Sequence, residues 1–348
     1  MSGVIALGRW TLLAAGDSPV HDVSIFSPAS NSAESIASLS ILVLAVAGLI
    51  FLVVEGVLFY SIVRFRPSRV ERESAPDTEP PQVYGSHPIE IAWTVAPSVI
   101  VFFLVLVTAR TLWEVNAAPP QTANAAGVLD ITVVGRQWWW EYQYNSYDGR
   151  PLGFATASEL HIPAGSGGVA RPVRLTLKSA DVCHSFWVPR LEGKMDAIPG
   201  RVNTLWLQTD RPGLYLGQCA EYCGTQHAHM LIRVVVQTPE EFEGWLENQS
   251  RPAVDDPQAV EGRRTLLSES CVNCHRIRGT TAAGNYAPDL THLMSRQTFA
   301  GAMLDLDRRN LRRWVRNPQS IKQGCLMPAF GLTDEKQDLI VRFLATLR

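Results

Sequence analysis

The chain has 348 residues, more than one ordinary domain holds and enough for two or three. Its 31 basic and 33 acidic side chains nearly cancel, leaving a net charge of −2, which excludes a nucleic-acid binder built on a broad basic surface. Charged residues make up 18% and hydrophobic residues 46%. The charge deficit lies mostly in two apolar runs, an organisation foreign to disordered, collagen-like or purely cytosolic chains.

Residues 1–35 read as an N-terminal tail outside the membrane. Arg9 followed by TLLAAG faintly resembles a signal peptide with a small-residue cleavage site. Cleaved or not, the topology is the same. Ile36 to Val63 and Ile91 to Trp113 are each long enough to cross a bilayer as a helix, for which roughly 20 apolar residues suffice. Pro97 is tolerated in such a helix. Arg64, Arg66, Arg69 and Arg72 follow the first run and favour the cytoplasmic side. Residues 36–113 are therefore a transmembrane hairpin with both chain ends outside. Glu55 and Glu90 are ionisable groups in or beside the spans. Such groups are candidates for function, against which Glu55 facing a partner helix is the plainer reading.

Residues 114–237 change to short β-branched and aromatic segments punctuated by Pro, Gly and Asp. Expected strands are Leu129–Val134, Trp138–Tyr144, Val173–Lys178, Thr204–Leu207, Leu214–Gln218 and Leu231–Val236, which suggest a β-sandwich or barrel. Residues 238–258 begin as a short helix, PEEFEGWLENQ, and continue as a polar, proline-bearing linker. Residues 259–348 read as helical, with a Thr333 cap opening the last helix.

Two constellations carry chemistry. In Cys219-Ala-Glu-Tyr-Cys223-Gly-Thr-Gln-His227-Ala-His229-Met230, thiols, imidazoles and a thioether lie within twelve residues. That donor set suits copper in electron transfer. Two thiolates four residues apart suit a bridged pair of copper ions. His184, in DVCHSFWVP, is the best candidate for a further imidazole. A Cys219–Cys223 disulfide or a zinc site are the competing readings of the residues alone. Downstream, Cys271-Val-Asn-Cys274-His275 is a c-type haem attachment pattern, with His275 reaching the iron. Met327, in Met-Pro-Ala-Phe, is the candidate sixth ligand, with Met294 and Met303 as competitors. Cys183 and Cys325 are expected to be buried free thiols. Arg308, Arg309, Arg312, Arg313 and Arg316 fall on one helix, either as a solvated face or as a docking and steering surface.

CAEYCGTQHAHM, DVCHSFWVP, GKMDAIPGR, RPGLYLGQC, GRQWWWEYQY and HPIEIAWTVAP resemble subunit II of the haem–copper cytochrome c oxidases over about residues 30 to 240. The resemblance implies a cupredoxin-like domain with a binuclear copper A centre. Cys219 and Cys223 would bridge the coppers, His184, His227 and Met230 would be terminal ligands, and Glu221 would give its backbone carbonyl. It also implies a magnesium site at the Glu221 side chain completed by subunit I, an electron-accepting role for Trp138, and a proton-path role for Glu90. His229 falls off the pattern. Residues 321–331 and the stretch around Pro288 resemble the haem-packing loops of class I cytochromes c.

The expected protein is thus multidomain: transmembrane hairpin, cupredoxin-like sandwich, all-α cytochrome c domain. It would relay single electrons from its own haem to copper and on to subunit I, where oxygen is reduced and protons are pumped. Implied partners are subunits I and III and an electron donor: a soluble or membrane cytochrome c, or the cytochrome bc complex. The implied location is a bacterial inner membrane with both cofactor domains on the periplasmic side. A fused donor replaces a bimolecular encounter by an intramolecular one. The alternatives are a copper-A nitric oxide reductase subunit, a free-standing membrane electron carrier and a copper-delivery protein.

Overall fold

The computed structural model describes residues 23–66, 82, 84–119, 127–167, 171–253 and 256–348. The signal-like segment at Arg9, and Arg69 and Arg72 of the inter-span loop, lie outside the described residues.

Two long helices come first, α1 (Asn31–Arg64) and α2 (His87–Asn116). Ser30 caps α1 by accepting from Ala33 N. At 1.5 Å per residue α1 is about 51 Å long, well beyond a hydrocarbon core of roughly 30 Å. The excess is used at its N-terminus. There Ala33 and Ala37 are buried, Ala29 N donates to Arg190 O (2.8 Å), and Thr209 Oγ1 donates to Ala29 O (2.5 Å). The rest of both helices leaves its large apolar side chains uncovered, as lipid-facing helices do. The sandwich therefore sits at the end of the hairpin that carries the start of α1.

Ten strands make two five-stranded sheets. One has the order β3 (Arg150–Ala157), β2 (Trp139–Tyr147), β1 (Leu129–Arg136), β5 (Val173–Ser179), β8 (Asn203–Leu207). The other has the order β4 (Glu159–Pro163), β10 (Leu231–Gln237), β9 (Gly213–Cys219), β6 (His184–Trp187), β7 (Met195–Ala197). Both sheets are mixed, with β1 parallel to β5 and β4 parallel to β10. Alternation fills the space between them: Ile232, Val234 and Val236 of β10 are buried while their neighbours are half-buried. Trp140, Tyr142 and Tyr144 of β2 enter the same core.

Six strands match the expected segments to within three residues at each end; β3, β4 and β7 lie outside any expected strand. In β3, Pro151 and Gly153 read as a turn, but the strand lies at a sheet edge, where a proline costs no ladder bond. In β4 all five residues are buried, Glu159 and His161 included, so no alternation marks it.

Helix α3 (Pro239–Ser250) opens on a complete capping box between Thr238 and Glu241. It is seated on the sandwich rather than free: Phe242 and Leu246 belong to the sandwich core, and Trp245 stacks on His161 at 4.4 Å. The C-terminal domain has its own core around Leu266, Ile277, Leu311, Ile340 and Phe343. It carries α4 (Val260–Ser268), α5 (Cys271–Cys274), α6 (Arg308–Arg316) and α7 (Asp334–Leu344), plus a two-residue ladder of β11 (Thr298–Phe299) with β12 (Leu304–Asp305).

Two expectations are corrected. Cys183 is exposed and Cys325 half-buried, not enclosed. Cys183 precedes β6, and alternation that turns His184 inward turns its neighbour outward. Cys325 lies in a loop, its sulfur 3.3 Å from Gln319 Nε2.

Candidate metal centre and haem cavity

The first cluster forms where β6 starts and β9 ends. The β6–β9 pairing sets Phe186 opposite Cys219, which brings His184 and Cys219 to one end of the sheet. His184 Nε2 lies 2.7 Å from Asp181 Oδ1, so Nδ1 faces the cluster, 3.9 Å from Cys219 Sγ. Gly135 makes room: a Cβ there would come within 2.6 Å of the imidazole ring. The 219–230 loop then folds back. Cys219 Sγ lies 3.8 Å from Cys223 Sγ and 3.2 Å from the Glu221 carbonyl oxygen. Cys223 Sγ lies 3.6 Å from His227 Nδ1 and 3.9 Å from Met230 Sδ. Both cysteines and Met230 are buried, and both thiols are free.

The two thiols titrate as a pair, and contact with Cys223 lowers the Cys219 thiol against its burial. The same contact, with burial, holds the Cys223 thiol up. Burial pulls His184 down, but its contacts with Asp181 and Cys219 outweigh this and leave it raised. Burial pushes Asp181 up. The imidazole and the backbone N–H groups of Gln137 and Val182 overcome that, so Asp181 is an anion fixing the ring's tautomer.

Ligand atoms of His184, Cys219 and Cys223 all lie within 4.8 Å of one another. With His227, Met230 and the Glu221 carbonyl around them, the donors suit two soft cations bridged by sulfur. The Sγ–Sγ distance leaves the cysteines unjoined, against the disulfide reading. Glu221 is exposed, and its carbonyl rather than its carboxylate is the group that meets a cluster sulfur. His229 is exposed, and its Nδ1 is paired with Gln226 Oε1 at 2.6 Å.

The second site is an apolar cavity in the C-terminal domain. Cys271, Cys274, His275 and Met327 all line it. His275 Nδ1 is 2.8 Å from the Pro288 carbonyl, which makes it the protonated nitrogen and leaves Nε2 with its lone pair. Burial lowers this histidine's pKa, keeping it neutral as an axial ligand must be. Gln319 Nε2 donates to the carbonyls of Cys325 (2.7 Å) and Met327 (2.8 Å), fixing the methionine loop. Met294 packs into the helical core instead, and Met303 does not line the cavity. Two thiols, a neutral imidazole and a thioether around an apolar hole fit a covalently attached haem.

The two sites share a wall. Trp138 and Trp139 of the sandwich line the cavity. On its other side Trp138 Nε1 donates to the Cys223 carbonyl (2.9 Å), beside Gln137 Nε2 (2.7 Å). Gly224, at φ +115°, admits the indole; a Cβ there would lie 2.9 Å from Trp138 Cζ2.

Glu90 sits in the first turn of α2, where Oε1 accepts from Ser86 N at 3.2 Å. The arginines of α6 are turned partly to their own domain: Arg312 pairs with Asp338 at 2.6 Å and Arg316 with Asp334. Asp181, Glu159 and Lys322 were not singled out from the sequence. Only Asp181, three residues before His184, left a legible sign there.

One relative aligns end to end with this chain: the cytochrome c oxidase subunit 2 of Alkalihalophilus pseudofirmus, 33% identical over all of this chain and 97% of its own length. This chain belongs to the cytochrome c oxidase subunit II family. The family's transmembrane domain matches residues 21–110, its periplasmic domain residues 166–238, and cytochrome c residues 259–348. The cytochrome c oxidase subunit 2 of Bacillus sp. PS3 is 34% identical over 77% of each chain. Among solved structures, the periplasmic domain of subunit II from Bradyrhizobium japonicum is 33% identical over 35% of this chain and 92% of that one, with a TM-score of 0.31. The protein is a membrane-bound subunit of a haem–copper oxidoreductase. Its copper A domain and its cytochrome c domain imply copper and haem.

Proposed function

We propose that this subunit relays electrons one at a time from a haem c held by Cys271, Cys274, His275 and Met327 to a binuclear copper A centre. That centre would be held by Cys219, Cys223, His184, His227, Met230 and the Glu221 carbonyl. Haem and copper supply one-electron redox chemistry without bond making. The protein's part is geometric. Asp181 orients His184, Pro288 fixes the His275 tautomer, Gln319 fixes the Met327 loop, and the apolar cavity excludes water. The observation that carries the reading is Trp138, which lines the haem cavity on one side and is hydrogen-bonded to a copper-loop carbonyl on the other. From copper the electron continues to subunit I, which reduces oxygen and pumps protons with subunit III alongside. A cytochrome c, soluble or membrane-bound, or the cytochrome bc complex supplies the haem.

Both cofactor domains lie on the periplasmic side of a bacterial inner membrane. Three finer assignments belong to the same reading: the domain limits 36–113, 114–237, 238–258 and 259–348; a magnesium shared with subunit I at the Glu221 carboxylate; and a proton-path role for Glu90. The deciding experiment is His275→Ala in the assembled oxidase. Oxidation of cytochrome c should fail, while a small reductant that reaches copper directly should still drive oxygen uptake. Unchanged oxidation of cytochrome c by this variant would contradict the haem-first order.

A further inference from the structure

The chain's two cofactor domains are joined by buried ions as well as by a linker. Glu159, on β4 of the copper domain, is 1% exposed. Its carboxylate accepts from three donors of the haem domain: the backbone N–H of Gln297 (3.0 Å), the backbone N–H of Thr298 (2.8 Å) and the Thr298 hydroxyl (2.6 Å). Arg233, of the same sheet, flanks it at 3.5 Å and donates to Gln297 Oε1 at 2.8 Å. The reciprocal ion is Lys322 of the haem domain, 2% exposed. Its ammonium donates to the carbonyls of Trp138 (2.7 Å) and His229 (2.7 Å) on the copper domain and of Ala300 (2.9 Å) on its own.

Between the two ions the backbones touch. Leu231 N donates to Gly301 O at 3.1 Å. Gly301, at φ +79°, has no room for a side chain: a Cβ would lie 2.5 Å from Lys322 Nζ and 2.8 Å from Trp138 O. An enclosed charge costs free energy unless every partner is in place. Two of them, one from each domain and each held by groups of the opposite domain, define one pose and not a family of encounters. That pose leaves Trp138 only 9% exposed.

We propose that Glu159 and Lys322 are positioning residues that clamp the haem domain onto the copper domain in a single pose, with Trp138 fixed between the cofactors. Transfer within the chain then needs no search by a tethered domain. The clamp also closes the Trp138 face to outside donors. The inference rests on the haem and copper assignments above. The step it serves moves one electron: haem iron goes from ferrous to ferric, the copper pair gains that electron, and no proton or bond changes place.

The test uses the complete oxidase with both cofactors loaded, as wild type, Glu159→Gln and Lys322→Met. Lys322 borders the haem cavity whereas Glu159 does not, so Glu159→Gln remains readable if Lys322→Met loads poorly. Hydrogen exchange of the Leu231 amide should rise about tenfold or more in each loaded variant, as expected for losing a charged buried anchor. Transfer from photoreduced haem to copper should be independent of added glycerol in wild type. In the variants it should fall several-fold and slow further with viscosity, with the haem and copper absorption bands unchanged. Unaltered exchange and transfer in a loaded variant, or a wild-type rate that already tracks viscosity, would overturn the clamp. Failure of the underlying assignments is distinct: wild type itself would lack the copper or haem bands.

Discussion

The copper loop and the haem cavity meet at Trp138 but are built on opposite plans. The proposed copper donors come from strand ends and one tight loop; sheet register brings Cys219 and His184 together, and Asp181 orients His184. The proposed haem donors line a hole in a small helical domain, and part of its wall, Trp138 and Trp139, is borrowed from the sandwich. A metal site of the first kind is specified locally and tolerates little displacement. A prosthetic-group site of the second kind is specified by the space left open and by what closes it. The copper centre therefore should respond to single ligand changes, and the haem's electron transfer to changes at the joint.

The largest effect that would sharpen this contrast is Cys219→Ser. Copper content should drop and electron delivery to oxygen should essentially cease, while the covalent haem and its spectrum remain. Copper analysis beside haem quantification checks it. Next comes Asp181→Asn, which keeps the shape but removes the charge that orients His184. Outer partners of metal-bound histidines are typically worth about 10–100-fold in affinity. Copper retention against a chelator should weaken on that scale, with the haem unaffected. Equal loss of both cofactors would break the comparison.

A smaller effect is expected from Gly224→Ala. The added methyl would meet Trp138 and force a left-handed backbone position on a residue with a side chain. Transfer from haem to copper should slow several-fold in flash-reduction kinetics while both cofactors stay bound.

The smallest concerns neither site. Glu192 is 2% exposed beneath the start of α1, and burial raises its carboxyl to about 7. Because the folded value lies above the unfolded one, its contribution is complete at low pH and is lost as pH rises through about 7. Glu192→Gln should therefore change thermal stability little near pH 4 and raise it above pH 7. The gain is at most about 3 kcal/mol, since one pKa unit is worth about 1.4 kcal/mol. Calorimetry of the oxidase at the two pH values checks the sign.

The contrast also explains what the sequence made legible. The proposed copper donors and haem-attachment residues are close in sequence, so residue type and spacing alone suggest them. The transmembrane hairpin was legible because twenty apolar residues in a row have few other uses. Strands β3 and β4 were not, because an edge proline and a buried Glu159 both imitate loops. The joint between the domains was hidden for a deeper reason. Glu159 and Lys322 are 163 residues apart, and each satisfies backbone groups of the other domain, which carry no residue code. The arginines of α6 read either as a solvated face or as a docking surface. Arg312 and Arg316 reach acids of α7, and the contacts with the copper domain come instead from Gln297, Thr298, Gly301 and Lys322.

The central claim is that the thiols of Cys219 and Cys223 bridge a pair of copper ions beside a covalent haem. Metal and haem analysis of the purified oxidase, read with anomalous scattering at the copper edge, tests it most directly. Two coppers attributable to this subunit per covalent haem are expected, with both sulfurs between them and a near-infrared mixed-valence band. A single ion at the two sulfurs, or a bond between the sulfurs themselves, would contradict it.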